Sequence, residues 1–173
     1  MVLRHWLGLA LLLFAAPAKA YLIEQNVSLT YEAGVFCNGP PDRIIPAPNT
    51  FEGEVEFENE PYKFFHLGDK APSLPGVAIG VVLQLKSFRP GETLTIRQFR
   101  FEDMRRPDTW TLVPRDDGLL WAGTMPAPGY SLDYGRYQTQ ILRGEKKLFV
   151  FQFSVVPAET VPEIKANCVP NTS

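Results

Sequence analysis

Glu52, Glu54, Glu56 and Glu58 stand at every second position and form the densest array of chemically capable side chains in this sequence. On a strand, alternate residues share a face, so the four carboxylates project together, with Phe51, Gly53, Val55 and Phe57 opposite. A carboxylate pair can run glycoside hydrolysis, and clustered carboxylate oxygens can hold a cation or a basic ligand. The spacing argues against both. Calcium sites gather oxygens from a turning loop, whereas a strand spreads them along a line. Nothing marks two of the acids as facing across a cleft. The expectation is a solvated strand whose charges deter edge-to-edge pairing.

Other catalytic sets are missing or thin. The sequence has no G-x-S-x-G elbow, no P-loop and no G-x-G-x-x-G after a strand. Beyond the first twenty residues there is one histidine, His66, set among Phe64, Phe65 and Leu67. A His-dependent triad or a multi-His zinc site has too few members. No catalytic residue, metal or other cofactor is expected. Arg97, Arg100, Arg105 and Arg106 with Phe99 and Phe101 imitate a basic-aromatic nucleic-acid face. Interleaved Glu102, Asp103 and Asp108 argue for a solvated loop instead. The binding patch expected here is an exposed aromatic cluster of Trp121, Tyr130 and Tyr134 on Pro-rich loops.

The elements that would position these residues read as strands. Arg136–Leu142 alternates Tyr137, Thr139 and Ile141 against Gln138 and Gln140. Leu148–Val156 follows, with a row of Phe149, Phe151, Phe153 and Val155, and Gly144 supplies the tight turn between them. That row needs a second layer, because a lone hairpin is marginal in water. Upstream, Val27–Glu32, Phe51–Glu58, Tyr62–Leu67, Val77–Leu85, Glu92–Phe101, Thr109–Val113 and Gly118–Ala122 read as strands. Arg89-Pro90-Gly91-Glu92 is a type II turn signature. Leu94 and Ile96 lie in one phase and Phe99 and Phe101 in the other, which predicts a bulge near Arg97–Gln98. Asn38–Asn49, with four prolines, reads as irregular connection, and Gly68–Gly76 as a loop.

The first twenty residues are an address. Arg4 and His5 precede an apolar run from Trp6 to Ala16, followed by small residues at the A-x-A positions ending at Ala20. This is the build of a secretory signal peptide, and the run is too short for a membrane span. Cleavage after Ala20 would leave a periplasmic or secreted chain with no membrane span. Its expected organisation is one sandwich domain over residues 21–157 and an extended tail over 158–173. Without Arg4 and Lys19, the 17 basic residues fall to 15 against 19 acidic ones. That balance argues against nucleic acid as a partner. An envelope protein or a glycan is the expected partner. Cys37 and Cys168 are the two cysteines, and an exported chain with an even count suggests a disulfide; free thiols or a metal pair are the alternatives.

Asp133-Tyr134-Gly135-Arg136-Tyr137 resembles the D-x-G-x-Y approach to a late strand of immunoglobulin-like sandwiches, where a tyrosine corner pins the preceding loop. Thr139 stands where antibody domains carry their second cysteine. The chain as a whole resembles a family of exported proteobacterial domains of unknown function. The matching pieces are the strand ending in Cys37, Pro46–Thr50, Leu74–Gly80, the Arg136–Val156 hairpin and the Val155-Val156-Pro157 exit before Cys168. The resemblance implies an all-β, immunoglobulin-like sandwich of seven to eight antiparallel strands, and brings no catalytic residue with it. The reading is a non-enzymatic binding or accessory module of the cell envelope. Assembly through an edge strand is the alternative, and a Glu-dependent hydrolase is a third reading.

Overall fold

In the computed structural model, which describes residues 21–22, 29–50, 52–101, 107–126, 131–164 and 168, the C-terminal run forms the expected hairpin. Strands β11 (Gly135–Arg143) and β12 (Lys146–Val156) pair antiparallel around Gly144 at φ 59°. On the far side of β11 lies β8 (Leu94–Arg100), and beyond it β9 (Asp108–Leu112). The outer edge of β12 carries two short strands. One is β1 (Tyr21–Leu22), antiparallel; the other is β6 (Lys70–Pro72), parallel.

The second sheet runs β10-β7-β2-β5, built from β10 (Leu119–Thr124), β7 (Val77–Leu85), β2 (Leu29–Cys37) and β5 (His66–Leu67). The Phe row finds its layer here. Phe149, Phe151 and Phe153 from one sheet and Ile79, Val81, Leu83 and Leu85 from the other are all buried in one core. The order β12-β11-β8-β9 facing β2-β7-β10 is the immunoglobulin arrangement, late hairpin and third strand in one sheet, early strands and fifth strand in the other. The Tyr137 hydroxyl donates to the Asp133 carbonyl oxygen at 2.9 Å, the tyrosine corner of that plan. Thr139 is buried at the position of the missing second cysteine.

Cys37 at the end of β2 is disulfide-bonded to Cys168, with Cα atoms 5.2 Å apart. The bond fastens the region beyond β12 to the first long strand of the opposite sheet.

Three expectations are corrected. The proline-rich connection contains a strand, β3 (Arg43–Pro46), which pairs with β4 (Glu54–Phe57) in a hairpin of its own. The loop after Gly68 contains β6. The bulge near Arg97–Gln98 does not form: β8 keeps continuous register with β11 and β9, and a register shift occurs instead in the β11–β12 pairing, between Ile141 and Leu142. The phase change instead leaves Gln98 in the core-facing series of Leu94 and Ile96, and Phe99 outward.

Residues 57–68 then cross the outward face of the second sheet. Three glycines, Gly123, Gly80 and Gly34, pair side by side across β10, β7 and β2. Tyr62 lies on Gly80 and Gly123, where an added Cβ would come within 3.0 Å of its ring, and stacks on Phe36 at 4.0 Å. A Cβ on Gly34 would collide with the His66 carbonyl oxygen. The glycine row is what lets this strap lie flat on the sheet.

Candidate functional site

The expected aromatic patch does not assemble. Trp121 is 7% exposed, because it faces out from β10 into the strap and packs against Phe57, ring centroids 6.0 Å apart. Tyr134 is exposed, and its carbonyl accepts from Arg100 Nη2 at 2.7 Å. Tyr130 lies outside the described residues, as do Arg105 and Arg106 of the basic-aromatic run. His66 sits half-buried on β5, away from any set of catalytic partners among the described residues.

What the fold does assemble is a cleft of about 360 Å³ between the β3–β4 hairpin and the sandwich. Glu52, Glu54 and Glu56 form one wall. Asp108 at the start of β9 and Asp133 before β11 stand on the other, with Gln98, Trp110 and Thr124 between them. The hairpin sits there because Thr109 N–H donates to the Asn49 carbonyl at 3.1 Å and Phe57 docks on Trp121. Arg43 also lies over the Phe57 ring, 4.1 Å from its centroid, bracing the hairpin from its other strand. A wider depression of about 1090 Å³ shares Thr50, Gln98, Asp108 and Asp133 and runs on to Arg97 and Arg100. There Arg100 pairs with Asp133 at 3.2 Å.

Polar groups at this cleft are incompletely matched. Asn38, the first residue beyond β2, is 6% exposed; its amide nitrogen donates to the Pro126 carbonyl at 3.2 Å and its side chain hydrogen-bonds Glu56. Its Oδ1 has no partner, and neither do the buried Oε1 of Gln98 and Oγ1 of Thr124. Three of the four such buried side-chain atoms among the described residues thus belong to or adjoin one cleft. An unmatched buried acceptor costs about 1–3 kcal/mol, so their concentration is not neutral packing.

The acids push on one another. Burial raises the Glu56 carboxyl above the ordinary carboxylate range, the charge of Glu52 adds to it, the Asn38 hydrogen bond pulls back, and Glu54 adds again. Burial raises Glu58 as well, with help from Asp42 and Glu56. The acidic run is therefore not a purely solvated strand face: only Glu54 and Glu56 lie on β4, and Glu56 and Glu58 are partly desolvated while Glu52 and Glu54 are exposed. No group of three or more His, Cys, Asp or Glu able to hold a metal ion occurs among the described residues.

The sequence located the acidic wall but not the cleft. The available signal was Gln98, a polar residue in the core phase of an apolar strand.

No protein-family model matches the chain, and no curated protein matches it. The resemblance to an exported family of unknown function is thus met only by the immunoglobulin-like architecture that the strand order shows. Among solved structures, the chain is similar to an immunoglobulin-like protein from Pseudomonas aeruginosa. The identity is 16%, the match covers 82% of this chain and 99% of that one, and the TM-score is 0.48. No helix among the described residues is long and apolar enough to cross a membrane.

Proposed function

We propose that this protein is a non-enzymatic binding module of the cell envelope and that it binds through the cleft between the acidic strand and the sandwich. The observation that carries the reading is Gln98. A strand that otherwise sends Leu94 and Ile96 into the core turns a carboxamide inward at the cleft and leaves its oxygen without a protein partner. Positions where a chain breaks its own pattern without a packing gain are where function is expected. Export is supported by the charged start, short apolar run and A-x-A site of residues 1–20, and by a disulfide suited to an oxidising compartment.

Two other readings weigh less. Carboxylates on opposed walls are the minimum for glycoside hydrolysis, and burial raises Glu56 as a general acid requires. Asp133, however, is held by Arg100, and both lie open to solvent. Strand pairing would need an uncovered edge. The outer edge of β12 is taken by β1 and β6, and the middle of β10 is buried.

Photo-crosslinking in the producing cell tests the proposal. A photoreactive residue in place of Glu52, on the exposed rim, should give a discrete adduct that the same residue in place of Lys147, on the distant hairpin, does not. Identical adducts from both positions, or none from Glu52, would remove the cleft from consideration.

A further inference from the structure

We infer that the outer edge of β9 accepts an extended, uncharged segment of a partner protein as an added strand, with one apolar side chain of that segment seated between β9 and the β3–β4 hairpin. This adds a second contact surface to the binding reading and stands on observations separate from the acidic cleft.

The first ground is the backbone. β9 closes its sheet and pairs only with β8. Thr109 N–H points away from β8, because it donates to the Asn49 carbonyl. Backbone groups alternate sides along a strand, so Thr111 N–H and C=O point the same way. No backbone group among the described residues meets them, and Thr111 is exposed. Alternating donors and acceptors at strand spacing are matched by another extended backbone, which carries both.

The second ground is charge. Edge strands are normally guarded by a charge, a proline or a bulge. Thr109–Leu112 has none of the three, and Val113 beyond it is 55% exposed. The groove beside this edge is equally uncharged. It holds about 190 Å³ and is lined by Ile45, Pro46, Val55, Trp110 and Leu112 along with Thr111. A partner segment that matches it is uncharged over the residues in contact.

The third ground is the shape of the slot. The Asn49–Thr109 bond is the one backbone hydrogen bond between the hairpin region and β9 among the described residues. Beyond it β3 walls the groove without pairing to β9. Sites for whole small molecules run to about 300–1,000 Å³, so this groove suits a single branched or aromatic side chain. A second copy would have to bring a folded edge, with its own hairpin beside it, into a slot that β3 already walls. One extended chain has no such obstacle.

Amide hydrogen exchange followed by NMR on the chain from Tyr21 tests the inference. In the free chain, Thr111 N–H should exchange fast while Trp110 and Leu112, bonded to β8, are protected. The probe is the capped peptide Lys-Thr-Val-Thr-Val-Thr-Lys at millimolar concentration, whose pairing is led by its backbone. It should slow exchange at Thr111 by about tenfold or more and shift Ile45, Val55 and Leu112. The same peptide with alternate amides N-methylated should do neither. Thr111→Pro, tolerated where an edge N–H faces out, should abolish the shifts. No protection by the peptide, or equal protection by its methylated form, would overturn the inference. Thr111 protected in the free chain would overturn it too: a rise with protein concentration would give the edge to a second copy, and no rise would mean that the chain covers it itself. Peptide shifts confined to residues 52–56 and Thr124 would overturn it and leave the acidic cleft standing.

Discussion

The ring of Tyr62 lies so close over Gly123 that a Cβ on the glycine would sit 3.0 Å from ring Cε2, and its three nearest neighbours would be Cε2, Cζ and the hydroxyl oxygen of that one side chain. This contact places the strap on the outward face of the second sheet. It also explains why Trp121, which faces outward, is nevertheless buried. Gly123→Ala should destabilise the fold by about 1–3 kcal/mol through overpacking. In a Tyr62→Ala background the same change should cost less than about 0.5 kcal/mol, a coupling that a double-mutant cycle in urea unfolding reads directly. Equal cost in both backgrounds would mean that the strap does not rest on this glycine.

The Tyr137 hydroxyl bond to Asp133 is part-buried, and the Tyr137 ring stacks on Phe153 at 5.2 Å. Tyr137→Phe keeps the ring and removes the bond. The expected loss is about 0.5–1.5 kcal/mol, measured as a lower urea midpoint with unchanged m-value.

The Cys37–Cys168 bond closes a loop across most of the chain, with a sequence separation of 131. Reduction, or Cys37→Ala with Cys168→Ala, should cost about 2–5 kcal/mol. Alkylation of the unreduced, denatured protein should label no thiol. Two labelled thiols would refute the bond.

The C-terminal hairpin was legible because alternation over Arg136–Val156 is long and Gly144 sits where the turn needs positive φ. The type II turn was legible for the same reason: Glu92 N–H closes on the Arg89 carbonyl at 2.9 Å and Gly91 has φ 74°. What stayed hidden depends on tertiary contact. β3 and β6 are short strands rich in proline neighbours: β3 exists because the next strand, β4, folds back on it, and β6 because β12 is delivered to it from far along the chain. Gly34, Gly80 and Gly123 look like isolated breaks in three strands and become one row only when the register is known. Trp121 alternates like an exposed residue, and local pattern cannot reveal a strap arriving from residues 57–64. At Gln98 the phase change was visible, but its consequence was misjudged: the strand keeps its register and turns a polar group inward.

The Glu56 carboxyl is raised by burial first and then by Glu52, so its ionisation is less favourable in the folded chain than in the unfolded one. A group with a raised folded pKa binds more protons when folded. Its penalty is therefore full above the folded pKa and fades as pH falls toward the unfolded value of 4.5. Glu56→Gln should raise Tm by about 1–3 °C at pH 7.5. That advantage should shrink toward zero near pH 4, as thermal melts across the range would show. An advantage independent of pH would mean that the carboxylate is not the source.

The most direct test of the cleft as the functional surface is a comparison of captures from the envelope fraction of the producing cell. The tagged wild-type chain, the Glu54→Gln with Glu56→Gln variant, and Lys147→Ala as a distant surface control would be run side by side, each first shown to melt as a folded protein. The account predicts a ligand or partner retained by the wild type and by Lys147→Ala and lost from the cleft variant. Equal retention by all three would contradict it.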